Sequence, residues 1–445
     1  MPRPSSYLAL AARFESGETS PSNELEQRLN RLDAVEPTLR AFVHVARDAA
    51  RAAAKASDQR WRNKQPLSAI DGMAIAIKDI IETADMPTGQ GSPLWEGFET
   101  RRDAASVQGL REAGAVILGK TTTTEFAASH AFAPTTNPHD PKRTPGGSSS
   151  GSAAAVGAGI VPAALGTQVV GSTLRPASFC GAVGFKPTFG ALNRGGSYDY
   201  LSQSSLGVIA ATPNDIWIVA SAIAQRVGGD PGFPGLGGPL LPPKATAPKR
   251  LAALQTGGWA KASEGARAAF ETARKRLSAL GVALSDRSDP DVEALEQALA
   301  DAQPLTLQIN AWECAWPLGT YAAKDAKQLS PAALARREQG LAMTPHDYRG
   351  LLSRRQEIRD RFAFTASRFD GFVALSAAGA APLGLGFTGD TGMIVPASLL
   401  GTPAITLPLL RDENLPLGLQ LIGMPDRDAE LMAIADWVWQ NYESA

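Results

Sequence analysis

The sequence predicts an α/β fold, and a strand, a helix and a second strand in succession carry this prediction. Residues 72–81, GMAIAIKDII, alternate in side-chain character and end in branched residues, which is typical of a strand. Residues 104–113 predict a helix with Asp103 as its N-cap, and residues 114–120, GAVILGK, predict the next buried strand. This succession is typical of a βαβ crossover.

Apolar spacing predicts helices in the first part of the chain, and turn residues predict a connection in its middle. Apolar residues recur at helical spacing over residues 22–56, and Pro37 divides this segment into two predicted helices. Residues 228–250 are dense in glycine and proline, which neither a helix nor a central strand tolerates. They therefore predict a long surface connection.

The elements beyond this connection are predicted by caps and by one apolar face. Residues 250–254, RLAAL, predict a strand. Ser263 opens a helix whose apolar positions share one face, and Gly281 ends it. Residues 344–347, TPHD, resemble a capping box with proline in the first turn, and predict a charged helix to about residue 364.

Composition restricts the class of protein. The 445 residues are 44% hydrophobic, which is enough for a sizeable core, and 43 basic against 44 acidic side chains disfavour nucleic acid as the main partner. Cys180 and Cys314 are too few for a disulfide framework and lack zinc-ligand spacing, which favours a reducing compartment. No stretch approaches the ~20 apolar residues of a membrane span. We expect a soluble, cytoplasmic protein.

Residues 145–159, PGGSSSGSAAAVGAG, concentrate small hydroxyls before an apolar run. A flexible linker would not continue into small apolar residues that suit close helix packing. A phosphate-binding loop would require Gly-Lys-Ser/Thr or a strand-GxGxxG-helix unit, and neither is present. The remaining interpretation is a serine that meets a substrate, and this interpretation requires a base.

The candidate base is a lysine rather than a histidine. None of His44, His130, His139 and His346 lies in a metal or nucleophile-elbow motif, and no GxSxG surrounds a serine. Lys78 ends an apolar strand, where burial favours the neutral amine that can accept a proton. A lysine that extends to solvent is the alternative.

Several motifs in order resemble the amidase signature family of serine hydrolases. Residues 145–190 resemble the signature region; AIKDI and GAVILGKTTTTEF before it, and GTPAITLPLL with LPLGLQLIG after it, resemble the same family. The resemblance spans about residues 68–435. It implies the amidase signature fold, an α/β fold with a large mixed twisted sheet, mostly parallel, covered by helices on both faces.

The resemblance implies a Ser-Ser-Lys triad at Lys78, Ser148 and Ser172. Ser172 would be the nucleophile that forms the acyl-enzyme, Ser148 would relay protons from a cis peptide bond, and neutral Lys78 would be the base. The resemblance also implies an oxyanion hole formed by the backbone N–H groups of Val169, Val170, Gly171 and Ser172.

The sequence departs from the family around the nucleophile. Many members have Asp-Thr-Gly-Gly-Ser-Ile-Arg where residues 168–175 are QVVGSTLR. Gln168 replaces a charged aspartate, and Val170 replaces a glycine, which alters the turn because valine resists positive φ. The backbone N–H is kept.

Candidate substrate-binding residues lie in two places. Tyr198, Tyr200 and Ser202 belong to a segment that resembles one near the site in the family, and Trp316 lies in the divergent middle of the chain. Aromatic side chains there predict an apolar or aryl substrate.

The predicted function is hydrolysis of an amide C–N bond, with aryl amides, carbamates and esters as substrate classes and no metal or organic cofactor. The predicted partner is a small-molecule amide substrate, without nucleic acid or membrane, and a homodimer is one open assembly. Two alternatives remain: an A-type subunit of a glutamine-dependent tRNA amidotransferase, and a catalytically inactive binding relative.

The predicted domain organisation is a single amidase domain over residues 1–445. Residues 68–190 form its signature core, residues 228–250 the Gly/Pro-rich connection, and residues 251–370 the variable substrate-pocket region.

Overall fold

The computed structural model describes residues 6–128 and 132–444, and its described strands form one sheet. The strands are β1 Phe42–Val45, β2 Ala74–Lys78, β3 Val116–Thr121, β4 Ala163–Gln168, β5 Val183–Lys186, β6 Ser205–Ala210, β7 Arg250–Ala253, β8 Ala283–Ser285, β9 Gly371–Leu375, β10 Ala404–Asp412 and β11 Leu415–Ile422.

The α-helices precede, connect and cover these strands. They are α1 Tyr7–Glu15, α2 Pro21–Leu39, α3 Arg47–Arg62, α4 Ala105–Glu112, α5 Ser150–Gly157, α6 Leu174–Cys180, α7 Pro213–Val227, α8 Glu264–Ala279, α9 Pro290–Leu299, α10 Ala302–Asp325, α11 Pro331–Leu341, α12 Pro345–Ala366, α13 Val395–Leu400 and α14 Asp428–Asn441. None of the described helices combines the length and apolarity needed to cross a bilayer.

The sheet is mixed, with the order β1-β3-β2-β4-β6-β5-β10-β11-β9-β7-β8. Strand β2 pairs in parallel with β3 and β4, and β7 pairs in parallel with β8 and β9. The other described pairs are antiparallel, including β4 with β6 and β10 with β11. The mixed α/β fold is therefore confirmed, but the expectation that parallel pairs dominate is wrong.

Alternating side chains of β2 divide the core between the two faces of the sheet. Ile75 and Ile77 belong to the larger apolar cluster, which includes residues of α1, α4, α7 and α14. Ala74 and Ala76 belong to a second cluster, built with residues of α2, α3, α5 and α6. Because side chains alternate along a strand, Lys78 points to the same face as the two alanines.

The βαβ unit is confirmed, since β2 and β3 are parallel and α4 lies between them in the chain. The N-terminal helix prediction is wrong in detail. Helix α2 continues through Pro37 to Leu39. A proline in the last turn disturbs only the end of a helix and leaves the hydrogen bonds of the earlier turns in place. Residues 42–45, predicted as helical, form an edge strand beside β3.

The caps predicted beyond the connection are present. Ser263 accepts a hydrogen bond from the N–H of Ala266 at the start of α8, and Gly281 follows that helix with φ 89°. Thr344 and Asp347 form the capping box of α12.

Asp103 does not cap α4; its Oδ1 accepts from the N–H of Ala84 instead. Residues 228–249, all described, carry neither helix nor strand.

One buried carboxylate ties helix α3 to the segment just before β2. Asp71 is fully buried and accepts hydrogen bonds from Ser57 Oγ at 2.6 Å, from the backbone N–H of Leu67 at 2.8 Å, and from two guanidinium nitrogens of Arg60 at 2.6 and 2.7 Å.

We predict that Asp71→Ala lowers the free energy of unfolding by about 3 to 5 kcal/mol, because it removes one partner of a buried ion pair. Urea denaturation measures this change. The control is Arg13→Ala, which breaks an exposed pair with Glu18 and should cost about 0 to 1 kcal/mol. Equal midpoints for the two variants would contradict the assignment.

Candidate active site

Lys78 lies at the carboxyl end of β2 and is fully buried. Its Nζ lies 2.7 Å from Ser148 Oγ and 2.8 Å from Thr167 Oγ1. Thr167 belongs to β4, the parallel neighbour of β2, so both side chains come from adjacent strands that end at the same edge. The sheet thus fixes the amine between two hydroxyls.

Ser148 lies in the loop that enters α5, and the peptide bond between Gly147 and Ser148 is cis, the geometry that the resemblance implies. Helix α5 packs closely against its neighbours. A Cβ at Gly151 would lie 2.1 Å from the Ala41 carbonyl oxygen, and one at Gly157 would lie 2.2 Å from the Cys180 carbonyl oxygen. The small residues of this stretch therefore allow the backbone approach that places Ser148 beside Lys78.

Ser172 lies in the short loop between β4 and α6. Its carbonyl oxygen accepts a hydrogen bond from the N–H of Ser149 at 3.2 Å, which joins this loop to the start of α5. Buried Gln168 anchors the loop: its Oε1 accepts from the N–H groups of Thr173 and Leu174, each at 3.0 Å. The glutamine that replaces the family's aspartate thus caps the beginning of α6.

The predicted oxyanion-hole residues all lie in this loop. Among the described residues, no protein group accepts a hydrogen bond from the N–H of Val169, Val170, Gly171 or Ser172. The Val170 backbone does not adopt positive φ. The valine therefore fits here without the strain that a glycine-specific turn would impose.

Burial sets the electrostatics of the lysine. It lowers the pKa of the Lys78 amine from its usual value to about 7, and the negative charge of Asp199 acts in the opposite direction. Asp199 lies two residues after Ser197, which bridges to Ile81 just beyond β2. A substantial fraction of the amine is therefore neutral near pH 7.

Arg175 supports the loop that carries Ser148. Its Nη2 donates to the Gly147 carbonyl oxygen at 2.6 Å and to Thr388 Oγ1 at 3.0 Å, and its Nε and Nη1 are fully buried. Burial lowers the pKa of this guanidinium to about 10. The side chain thus holds the backbone just before Ser148 in place.

Ser148 and Ser172 open into one cavity of about 390 Å³. Its wall combines residues of the loops that carry Ser148 and Ser172 with an apolar surface from the first part of the chain and from α10 and α11. The apolar lining includes Phe126, Val170, Leu201, Leu307, Pro317, Leu318, Tyr321 and Phe387. The polar lining includes Asp199, Asn310, Arg336 and Asp390.

Of the candidate substrate-binding residues, Tyr198 lines this cavity. Tyr200, Ser202 and Trp316 line a neighbouring groove instead. Ser202 is held there by Glu313 and by Arg355, whose Nη1 donates to Ser202 Oγ at 2.8 Å. Substrate contact by these three residues stays a prediction.

Sequence reasoning missed Thr167 and Asp199, and it predicted a substrate-pocket region over residues 251–370 without identifying the residues of α10 and α11 that line the cavity. Thr167 could have been found from the expected pairing of parallel strands, whereas the wall lies in a divergent region without a motif. His130 lies outside the described residues. Within the described ranges, no group of three His, Cys, Asp or Glu side chains could hold a metal ion.

Comparisons with known proteins identify the fold and the family. The profile of the family described as Amidase matches residues 24–432. A structure titled "Crystal structure of amidase" superposes with a TM-score of 0.84 at 28% identity, covering 98% of this chain and 100% of the other. The native peptide amidase from Stenotrophomonas maltophilia gives a TM-score of 0.77 at 26% identity, covering 99% of this chain and 97% of the other.

The chain therefore belongs to the amidase family, and it is an enzyme that acts on amide C–N bonds. Among curated relatives, the A-type subunit of glutamyl-tRNA(Gln) amidotransferase from Chloroflexus aurantiacus is 34% identical, covering 96% of this chain and 94% of the relative. Its counterpart from Myxococcus xanthus is 32% identical, covering 96% and 95%.

These relatives correct the predicted partners. The expectation of a lone small-molecule amide substrate, without nucleic acid, is wrong, because the relatives matched along the whole chain are by name subunits of a tRNA amidotransferase. The net charge misled because it sums over the whole surface and does not report local contacts or contacts made through other subunits.

We predict that Gln168→Ala lowers the free energy of unfolding by about 1 to 3 kcal/mol, because two buried N–H groups lose their acceptor. Thermal and urea unfolding measure this change. Gln356→Ala, on the exposed side of α12, is the control and should unfold like the parent. A Gln168→Ala protein as stable as the control would show that the loop does not need this anchor.

Proposed function

We propose that the chain cleaves an amide C–N bond through an acyl-enzyme on Ser172. The observation that supports this most strongly is the buried contact of 2.7 Å between Lys78 Nζ and Ser148 Oγ, in a loop that borders the same cavity as Ser172. A base, a proton relay and a nucleophile at one cavity are the parts that acyl transfer requires.

In the proposed first half-reaction, neutral Lys78 accepts the proton of Ser148, and Ser148 accepts the proton of Ser172. Ser172 Oγ then forms a bond to the amide carbonyl carbon. The N–H groups of residues 169–172 stabilise the oxyanion, and each such donor contributes about 3 to 4 kcal/mol in serine hydrolases. Ser148 returns a proton to the departing nitrogen as the C–N bond breaks.

In the second half-reaction, water attacks the acyl ester on Ser172 and gives up a proton through Ser148 to Lys78. The C–O bond of the ester then breaks, and Ser172 regains its proton. The acid product leaves the cavity, and the triad returns to its starting protonation state. Because the lysine receives and returns one proton in each half, its neutral form must be available at the working pH.

The whole-chain similarity to A-type subunits favours glutamine as the amide substrate. In that role the chain releases ammonia from glutamine for transfer to a tRNA-bound acceptor within a complex. The support is the identity of 34% over 96% of the chain. Glutaminase activity and co-purification of partner subunits test this role.

A second candidate is an amidase for an amide, carbamate or ester with an apolar or aryl acyl group. It is favoured by the apolar cavity lining, which includes Phe126, Leu318 and Tyr321. We also propose that residues 251–370 form the substrate-pocket region, since α10 and α11 supply much of this wall. The inactive-relative alternative is disfavoured, because a binding protein has no need of a buried amine between two hydroxyls.

The cytoplasmic location likewise stays a proposal. It is supported by Cys180 and Cys314, which are both buried and unpaired. Free thiols of this kind are typical of reducing compartments.

We predict that wild-type protein forms a covalent adduct with a serine-reactive fluorophosphonate and that Ser172→Ala forms none, because the adduct requires the Ser172 oxygen. Intact-mass spectrometry measures the adduct. Ser149→Ala is the matched control: its Oγ hydrogen-bonds with backbone atoms of Thr167, so labelling should persist.

The same proteins are then given glutamine, aryl amides, aliphatic amides, esters and carbamates. Turnover by the wild type and its loss in Ser172→Ala would rank the substrate classes. Labelling that survives in Ser172→Ala would overturn the assignment of the nucleophile, whatever the substrate.

We predict that kcat rises about tenfold per pH unit below pH 7 and levels off above it, because protonated Lys78 cannot accept a proton. Asp199→Asn removes a negative charge that raises the pKa of Lys78. The acid limb should therefore move to lower pH in this variant. Rate profiles from about pH 5 to 9 measure the shift.

Asp360→Asn, an exposed change on α12, should leave the profile where it is. An acid limb that moves equally in both variants, or moves to higher pH in Asp199→Asn, would contradict the proposed electrostatics.

A further inference from the structure

The catalytic cavity and the groove that Tyr200 and Trp316 line are neighbouring voids. The groove has a volume of about 800 Å³, against about 390 Å³ for the cavity at Ser172. Helices α10 and α11 supply side chains to both voids. Among the described residues that line either void, Leu201 is the one that borders both. This leucine therefore lies on the boundary between the cavity and the groove.

The Leu201 side chain packs against the wall of the cavity. It contacts a small apolar cluster that includes Phe126 and Leu318, both of which line the cavity. Along the chain, Asp199 also lines the cavity, whereas Tyr200 lines the groove. The segment of residues 198–202 thus runs along the boundary. Because protein interiors are densely packed, a leucine in this position excludes ligand atoms from the space between the two voids.

The backbone of Leu201 is held at both of its polar groups. Its N–H donates to the Asp199 carbonyl oxygen at 2.7 Å, and its carbonyl oxygen accepts from the N–H of Ser204 at 3.1 Å. The same oxygen accepts from Nη1 of Arg194 at 2.9 Å. Arg194 is buried and pairs with buried Asp230 at 2.6 Å, so this donor is itself fixed.

The next residue, Ser202, is held from the side of the groove. Its N–H donates to Oε2 of Glu313 in α10 at 3.0 Å, and its hydroxyl donates to Oε1 of the same carboxylate. Two residues of α12 complete the contact: Tyr348 donates its hydroxyl to Glu313 at 2.7 Å, and Arg355 donates to Ser202 Oγ at 2.8 Å. Leu201 therefore cannot move toward the groove unless these hydrogen bonds break.

We propose that Leu201 determines specificity by closing the catalytic cavity against the groove, which restricts the enzyme to amides with a short acyl group. The inference rests on the proposed acyl-enzyme chemistry, because the acyl group that Ser172 carries is the part of the substrate held in this cavity. A γ-glutamyl group and a single aryl ring both belong to this class. Removal of the Leu201 side chain joins the groove to the cavity and admits longer acyl chains.

The test uses alkylphosphonofluoridates with straight chains from ethyl to decyl. Ser172 Oγ forms a P–O bond as fluoride leaves, and its proton passes through Ser148 to Lys78. The concentration dependence of labelling, followed by intact-mass spectrometry, gives an apparent affinity for each chain length. Each methylene that becomes buried should tighten this affinity about fourfold. We expect the gain to stop in the wild type at the length that fills the cavity, and to continue to longer chains in Leu201→Ala.

Three further variants test where the longer chain goes. Leu307→Ala removes the same side-chain atoms from a part of the cavity that does not border the groove, so its gain should stop at the wild-type length. Leu201→Val, a milder change, should extend the limit by less than Leu201→Ala. Trp316 lines the groove but not the cavity. Adding Trp316→Ala to Leu201→Ala should therefore weaken the affinity for the long chains and leave that for ethyl unchanged.

The inference and the proposed function fail separately. A wild-type affinity that keeps rising up to decyl would overturn the closure by Leu201, and this result requires no variant to fold. The same limit in wild type, Leu201→Val and Leu201→Ala, or an equal extension in Leu307→Ala, would also overturn it. In each of these cases an adduct on Ser172 leaves the function standing. Labelling elsewhere than on Ser172 would overturn the function.

Discussion

The buried amine of Lys78 is the constraint on which the rest of the site depends. An ammonium without water or a carboxylate in contact is costly, and the protein reduces this cost by favouring the neutral form. Two hydroxyls, of Ser148 and Thr167, satisfy the amine at hydrogen-bonding distance. Each element that meets here, β2, β4 and the entry to α5, must be held to within a fraction of an ångström to keep these contacts.

Close packing supplies that precision. Glycines in α5 allow its backbone to contact neighbouring carbonyl groups, and Gly207 of β6 leaves room for Thr173, whose Oγ1 would lie 2.2 Å from an added Cβ. Protein interiors are as dense as molecular crystals, so such contacts leave the backbone little freedom to move. The small residues that look featureless in the sequence are thus part of the positioning of the hydroxyls.

The sequence predicted the local parts of this arrangement better than the distant ones. The strand ending in Lys78, the helix beginning at the serine-rich stretch and the capping box of α12 depend on neighbours a few residues away. The strand order depends on pairings such as β5 with β10, which join residues more than 200 positions apart. No local pattern specifies such a pairing, and the predominance of antiparallel pairs was missed for this reason.

Candidate site residues divide in the same way. Lys78, Ser148 and Ser172 lie in motifs, and the structure places Lys78 beside Ser148 and both serines at one cavity. The family resemblance predicts substrate contact for Tyr200, and the aromatic character of the divergent middle predicts it for Trp316. Loop and helix packing instead places both residues at another groove.

The cluster that contains Phe126, Cys314, Leu318 and Ala333 is separate from the two large cores that cover the sheet. Substitutions in this wall therefore disturb few of the contacts that hold the sheet together. A lineage can explore new substrates by changing the residues of this small cluster in α10 and α11, while the large cores that hold the sheet and the geometry around Lys78 are kept. The separation of the small cluster from the two large cores therefore makes the substrate pocket evolvable.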